Sequence, residues 1–173
     1  MALRFYSQFR DDKAQNWLIE IHDTNYVGGS QEFTVNSDGF VLSYNGDTEK
    51  PLQPIIGSTC KIPLLIDYGD PDNFNDFITA LQNSNEDRFT VVIYEGLLNT
   101  DDVYWVGILQ PEQINIADES LPTLVELTAA DDIANLKGVE YTDDGTPYTG
   151  QASTLVHLIR LLNKTRTTQH WGG

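Results

Sequence analysis

The chain has 173 residues, of which 40% are apolar and 10% aromatic, and this length and composition favour one globular domain or two small ones. Its 26 acidic and 10 basic residues give a formal net charge of −16. The single cysteine, Cys60, excludes an intrachain disulfide and a cysteine-based zinc site. No stretch approaches the ~18 consecutive apolar residues of a membrane-spanning helix, and the first residues turn polar too early for a signal peptide. We therefore expect no membrane partner.

The negative charge is concentrated in the middle of the chain. Residues 67–144 contain 18 acidic residues, and only Arg88 and Lys137 oppose them. The rest of the chain is balanced, and its last fourteen residues carry three basic side chains and no acidic one. A polyanionic surface repels phosphate backbones, and we expect no nucleic-acid partner. The acidic stretch suits a solvated surface, a cationic partner or a divalent ion, and the basic C-terminus suits head-to-tail contact between copies.

The first 66 residues are predicted to form an antiparallel β meander. Trp17, Ile19 and Ile21 alternate with Leu18, Glu20 and His22, which is the period of a half-buried strand. Asp38-Gly39 predicts a hairpin between strands at 32–35 and 40–44. The candidate strand at 58–66 contains Pro63, a residue that confines a strand to a sheet edge or a bulge.

The second region, residues 67–164, mixes helices with strands. A helix capped by Asp70 or Asp72 is predicted from apolar residues at helical spacing, namely Phe74, Phe77, Ile78 and Leu81. Paired strands are predicted at 89–95 and 103–109, and the second is apolar on both faces, which favours a central position. A further strand at 124–129, a short helix at 131–136 and a turn at 145–150 follow. Ser153 is then expected to cap a helix carrying Leu155, Leu158, Ile159 and Leu162.

These elements predict a β-rich α+β protein. We expect small antiparallel sheets, or a β-barrel or sandwich, with about three helices. Three regions are distinguished: the meander at 1–66, the α+β region at 67–164 and an extended segment at 165–173.

The sequence offers no recognisable catalytic arrangement. It lacks the nucleophile elbow, the zinc-binding His-Glu-x-x-His helix, the phosphate loop and the dinucleotide fingerprint. We predict no catalytic residue, no cofactor and no metal. The acidic cluster at 67–76 does not fit an EF-hand, because the sixth position counted from Asp70 is Asn75 and the twelfth is Leu81. The start of an acidic helix explains this cluster, and a calcium site of another kind stays open.

The aromatic residues allow two interpretations. They can fill a β core or an interface, or they can line a carbohydrate groove, for which the candidates are Tyr68, Tyr94, Tyr104, Trp105, Tyr141 and Tyr148. Trp171 lies in a basic C-terminal segment without apolar periodicity and is a candidate anchor into a partner.

Two segments carry a resemblance to a known family. The first reads Tyr-Trp-Val-Gly-Ile-Leu-Gln-Pro over 104–111, and the second reads Leu-Val-Glu-Leu-Thr-Ala-Ala-Asp-Asp-Ile-Ala-Asn-Leu-Lys over 124–137. With the helix before them and the Tyr148-Thr149-Gly150 turn after them, the region 65–165 resembles tail-tip or baseplate hub proteins of tailed bacteriophages. This chain is much shorter than those proteins, and Asp132 stands where a glycine often follows the first aspartate.

The resemblance implies barrel or sandwich domains arranged in a ring that joins the tail tube to the tip. The expected function is that of a structural subunit of a phage tail, without catalysis, made in the host cytoplasm and located in the virion. Its expected partners are copies of itself and neighbouring tail proteins. The expected interface residues are Trp105, Tyr148, Arg160, Lys164, Arg166 and Trp171. The alternatives are a carbohydrate- or peptide-binding β module and a carboxylate-dependent hydrolase.

Overall fold

The computed structural model describes residues 1–36, 39–44, 57–66, 71–84, 88–96, 102–114, 123–131, 142–143, 146–147, 151, 153–157 and 159. Its main sheet has nine strands: β1 (Ala2–Arg10), β2 (Asn16–Asp23), β3 (Gln31–Glu32), β4 (Thr34–Val35), β5 (Val41–Tyr44), β6 (Ser58–Ile66), β7 (Phe89–Glu95), β8 (Val103–Leu109) and β9 (Thr123–Ala130). Helix α1 (Pro71–Gln82) connects β6 to β7, and a 3-10 turn (Pro111–Gln113) follows β8. Strands β10 (Thr142–Asp143) and β11 (Thr146–Pro147) form a separate ribbon.

The main sheet curls until its two ends almost meet. Strands β1, β2, β7, β8, β9 and β6 are neighbours in that order, and every pairing among them is antiparallel. The segment 31–36 lies between the end strands β1 and β6, and we call it the seam segment. Its first part, β3, pairs in parallel with β1, and its second part, β4, pairs antiparallel with β6. The result is a nearly closed barrel.

The prediction of a β-rich fold is confirmed, and a barrel was among the expected architectures. Strands from both predicted regions share one sheet, because β2 pairs with β7 and β6 pairs with β9. The predicted number of helices, about three, is not confirmed. The described residues contain α1, the 3-10 turn and helical residues at 154–157 and 159.

The predicted hairpin at Asp38-Gly39 was wrong. Strands β4 and β5 do not pair with each other; both run antiparallel to β6, one after the other. The seam segment has no free edge to offer β5, because its two edges are taken by β1 and β6. Gly39, with φ of 65°, allows a turn after which the chain continues in its former direction. The turn is closed by a hydrogen bond from the Gly39 amide to the Asn36 carbonyl oxygen, 2.8 Å long.

Pro63 lies in a central strand and not at a sheet edge, which was one of the two places expected for it. Its carbonyl oxygen accepts a hydrogen bond from the Asn36 amide at 3.0 Å, which shows that its peptide groups face the β4–β5 side. Register pairs end at Leu64 with β4 and resume at Lys61 with β5. The amide hydrogen that proline lacks therefore falls at the interruption between β4 and β5, where no strand partner requires it.

The barrel interior is filled by branched and aromatic side chains. Those fully buried on the strands are Ile19, Ile21, Ile62, Val91, Ile93, Val125 and Leu127. The helix predicted around Phe77 is confirmed, and Pro71 occupies its first position, where a missing amide hydrogen costs nothing. The Phe77 ring packs edge-on against Phe5 at 4.7 Å and Phe89 at 5.5 Å, and α1 thereby covers one end of the barrel.

Strand β8 is central, as its apolar residues on both faces predicted. It lies between β7 and β9, with Trp105 and Leu109 in the interior core. On the opposite face Ile108 is also buried, together with Val92 of β7 and Leu18 of β2. The predicted helix at 131–136 lies outside the described residues after Asp131. The predicted turn at 145–150 lies mostly outside them, and the segment at 165–173 lies wholly outside them.

Candidate interaction surface

Four aromatic side chains meet at the end of the barrel opposite α1. They are Phe9 of β1, Trp17 of β2, Phe40 just before β5, and Tyr104 of β8. The Trp17 ring lies 5.0 Å from Tyr104 and 5.1 Å from Phe40, and Phe40 lies 6.3 Å from Phe9, measured between ring centroids. We call these four residues the aromatic mouth.

A β-bulge brings Tyr104 into this group. Ile93 pairs with Trp105 and Tyr94 with Val103, which leaves Tyr104 as an extra residue in β8. At a bulge the alternation of side chains between the two faces is broken. Tyr104 and Trp105 can therefore both turn toward the interior side, although they are consecutive residues. Tyr104 contacts Trp17 at the mouth, and Trp105 enters the core.

The mouth is only partly covered. Tyr104 is 49% exposed, and the other three rings are half-buried. The rings contact one another edge to face, at interplanar angles of 71° to 79° in the three closest pairs. Such rings do not form a coplanar platform for stacking against a flat ligand, and together they form an irregular apolar surface.

Carboxylates surround the aromatic mouth. Asp11 accepts a hydrogen bond from Trp17 Nε1 at 3.1 Å, and this bond, with those from the Gln15 and Lys13 amides, lowers the pKa of Asp11 despite the opposing effect of burial. Glu95 lies opposite Trp17 in the sheet, and its amide donates to the carbonyl oxygen of Asp102 at 3.2 Å. The side chains of Glu95 and Asp102 are both exposed. The surface is thus apolar at its centre and acidic around it.

Trp105, the one predicted interface residue among those described, is buried. It is 7% exposed, and its Nε1 donates to Ser58 Oγ at 2.9 Å. The Ser58 hydroxyl and amide in turn donate to Asp131 Oδ2, at 2.5 and 2.7 Å. The indole therefore joins β8 to the start of β6 and the end of β9. A contact between Trp105 and another molecule stays a prediction, and the exposed residues beside it are Val103 and Tyr104.

The other predicted interface residues, Tyr148, Arg160, Lys164, Arg166 and Trp171, lie outside the described residues. Of the candidates for a carbohydrate groove, Tyr68, Tyr141 and Tyr148 also lie outside them, Trp105 is in the core, and Tyr94 is half-buried. Sequence reasoning missed Phe9, Trp17 and Phe40 as a group. The turn at 11–15 was a usable signal, since it places Phe9 opposite Trp17 in the β1–β2 register.

A buried ionic cluster lies near α1. Asp23 is fully buried and accepts hydrogen bonds from Arg88 at 2.8 and 3.0 Å and from Arg4 at 2.9 Å. Burial by itself raises the pKa of Asp23, but the bonds from Arg88, the Asn25 amide and Arg4 outweigh it, and the pKa lies below the ordinary value. The Arg4 guanidinium also lies 4.9 Å from the centre of the Tyr26 ring. These contacts join β1, β2 and the residue just before β7.

Burial raises the pKa of the Cys60 thiol to about 12, and Cys60 packs inside the barrel on β6. Among the residues that the structure describes, no three histidine, cysteine or acidic side chains are grouped in a way that could hold a metal ion. Residues 67–70 of the acidic cluster at 67–76 lie outside that part of the chain, and residues 71–76 form the first part of α1. None of the described helices has the length and apolar character needed to span a membrane.

A second exposed apolar surface lies near the C-terminus. Residues 154–157 and 159 are helical, and Ser153 Oγ accepts a hydrogen bond from the Val156 amide at 3.4 Å, as the predicted cap requires. Leu155 is 64% exposed and Ile159 47%, and Val156 is also exposed. These three side chains are not among the described residues of the barrel core.

Comparison of the chain with protein-family models, with curated proteins and with solved structures gave no match.

Proposed function

We propose that this protein is a structural subunit of a bacteriophage tail, in the hub, the baseplate or the tail tip, and that it acts through protein–protein interfaces without catalysis. The observation that carries the proposal is the pair of exposed apolar surfaces, the aromatic mouth and the helical residues around Ile159, on a barrel whose interior is already filled. Exposed apolar patches on a folded domain are typical of surfaces that another molecule covers.

The resemblance to hub proteins supports the same proposal. Its two segments fall largely on β8 and β9, which pair at Ile108 with Ala130 and at Leu109 with Ala129. A nearly closed barrel is compatible with the domains that the resemblance implies. The proposed partners are copies of this chain in a ring and neighbouring tail proteins, and the proposed location is the tail of the virion.

Electron microscopy and light scattering test this proposal. The full chain would be separated on a sizing column with mass measured by light scattering, and the peak imaged in negative stain. We expect a mass of several 19.4 kDa chains and closed rings in the images. A mass of one chain at every concentration, with no ring, would overturn the proposal of a self-assembling tail subunit.

A carbohydrate- or peptide-binding module is the second candidate. Trp17 and Tyr104 are partly accessible and lie beside the Asp11 carboxylate, a combination that also suits sugar recognition. Titration of the protein with a panel of oligosaccharides, followed by tryptophan fluorescence, separates the two candidates. A saturable change that the Tyr104→Ala variant abolishes would favour the binding module, and an unchanged spectrum would favour the assembly subunit.

A further inference from the structure

We propose that the aromatic mouth of one copy binds the C-terminal segment, residues 153–166, of a second copy. The copies would then associate head to tail. This inference rests on the proposed function and deepens it, because it names the two surfaces that meet.

The apolar content of the segment fits the mouth. Over residues 153–162 six of ten side chains are aliphatic: Leu155, Val156, Leu158, Ile159, Leu161 and Leu162. Those that the structure describes, Leu155, Val156 and Ile159, are exposed in the single chain. A segment of this composition is stabilised by burying its apolar side chains against another surface. The partly exposed rings of the mouth offer such a surface.

Charge complementarity favours contact between a mouth and a C-terminal segment over contact between two like surfaces. Four carboxylates lie around the mouth, on Asp11, Asp12, Glu95 and Asp102, against the two basic side chains of Arg10 and Lys13. The C-terminal segment carries Arg160, Lys164 and Arg166, and no acidic residue occurs from Gln151 to the end of the sequence. Contact between two mouths would bring like charges together, and so would contact between two C-terminal segments. Contact of a mouth with a C-terminal segment pairs opposite charges.

A contact between two different surfaces has a geometric consequence. After the first contact one copy keeps its segment unused and the other keeps its mouth unused, and further copies can add until the arrangement closes into a ring or continues as a filament. The proposed ring in the phage tail corresponds to the closed case.

The test uses full-length variants and sedimentation velocity. Tyr104→Lys places a positive charge in the mouth, and Glu95→Lys reverses one of the charges beside it. Glu95 is exposed and lies opposite Trp17, which keeps the test valid if Tyr104→Lys alters folding. Ile159→Glu places a negative charge on the apolar side of the helical segment. Val27→Glu is the matched control, because Val27 is 98% exposed and lies in the loop between β2 and β3, away from the mouth. Circular dichroism verifies that each variant is folded.

We expect each mouth variant and the Ile159→Glu variant to associate at least about tenfold more weakly than the wild type, with the control unchanged. The decisive sample is a mixture of Glu95→Lys with Ile159→Glu. The first retains a functional segment and the second a functional mouth, and the mixture should form a dimer that does not grow.

Three results would overturn the inference. If Glu95→Lys and Ile159→Glu assemble as the wild type does, other surfaces form the contact, and the proposed function stands without this assignment. If their mixture stays monomeric while the wild type assembles, mouth and segment do not bind each other. If the wild type itself is monomeric at all concentrations, the proposed function fails and this inference fails with it.

Discussion

Asp23 shows how a single carboxylate can hold several strands together. It is fully buried between Arg4 and Arg88, and replacing it leaves both guanidinium groups without their carboxylate. We predict that Asp23→Asn lowers the free energy of unfolding at pH 7 by about 3–5 kcal/mol. The exposed Asp12→Asn is the control and should change it by less than about 0.5 kcal/mol.

The effect of Asp23 should depend on pH in a defined direction. Its pKa in the folded chain lies below the ordinary value of 3.8. Its contribution to stability is therefore complete above pH 3.8 and is lost as the pH falls through the folded-state pKa. Urea unfolding of wild type and Asp23→Asn should show a stability difference that shrinks below pH 3.8. A difference that is equally large on both sides of that pH would contradict the ionic account.

Gly107 is required by its neighbours. A Cβ atom at this position would lie 2.2 Å from Trp105 Cη2 and 2.7 Å from the carbonyl oxygen of Ala130. Neither neighbour can move freely, since the indole is buried and the carbonyl is part of β9. We predict that Gly107→Ala lowers the free energy of unfolding by about 1–3 kcal/mol. Gly29→Ala, where nothing lies within 4 Å, is the matched control and should be nearly neutral in chemical denaturation.

Trp105 contributes packing and one hydrogen bond, and two substitutions separate them. Trp105→Ala should cost about 3–5 kcal/mol of unfolding free energy, because it leaves a large cavity in the core. Trp105→Phe keeps most of the packing and removes the bond to Ser58 Oγ, and it should cost less. Urea denaturation followed by circular dichroism measures both. An unchanged midpoint for Trp105→Ala would show that the indole is not part of the core.

At the scale of the elements, the seam segment is the least supported part of the barrel. It is joined to β1 through two register pairs and to β6 through two more, whereas β7 has seven pairs with β2. Local opening should therefore separate the seam segment before the other strands. Hydrogen exchange should show weaker protection at the Phe33 and Asn36 amides than at those of Val91 and Ile93. Equal protection at all four would mean that the barrel opens only as a whole.

Most elements could be predicted from local patterns, and the failures have a common cause. Alternation in β2, helical spacing around Phe77 and the apolar faces of β8 each depend on residues close in sequence. The Asp38-Gly39 hairpin failed because β4 and β5 both pair with β6, a strand that follows later in the chain. The sheet-edge alternative for Pro63 failed for the same reason, since the interruption that accommodates it lies between β4 and β5. Local signals identify a turn, but they do not decide which edge is free.

The candidate site could be predicted less well than the fold. Tyr104 was recognised as a candidate, but Phe9, Trp17 and Phe40 join it only through the closure of the barrel and the bulge in β8. A bulge has no sequence signal in the run Val103-Tyr104-Trp105-Val106. The separation of charge along the chain, by contrast, was visible in the sequence alone.

At the scale of the whole molecule, the C-terminal segment can be tested by deletion. Residues 165–173 lack apolar periodicity and include Arg166 and Trp171. We predict that a chain ending at residue 164 unfolds at the same temperature as the full chain but associates more weakly. Differential scanning calorimetry and light scattering measure the two properties. A large fall in the unfolding temperature would show that this segment belongs to the folded core.

We propose that copies of this chain bind one another through oppositely charged surfaces with apolar centres. Sedimentation velocity of the wild-type chain at about 0.05 M and about 0.5 M salt tests it most directly, because added salt screens attraction between exposed charges. We expect a discrete oligomer at low salt that shifts toward the monomer at high salt. A single 19.4 kDa species at both salt concentrations, however concentrated the protein, would contradict it.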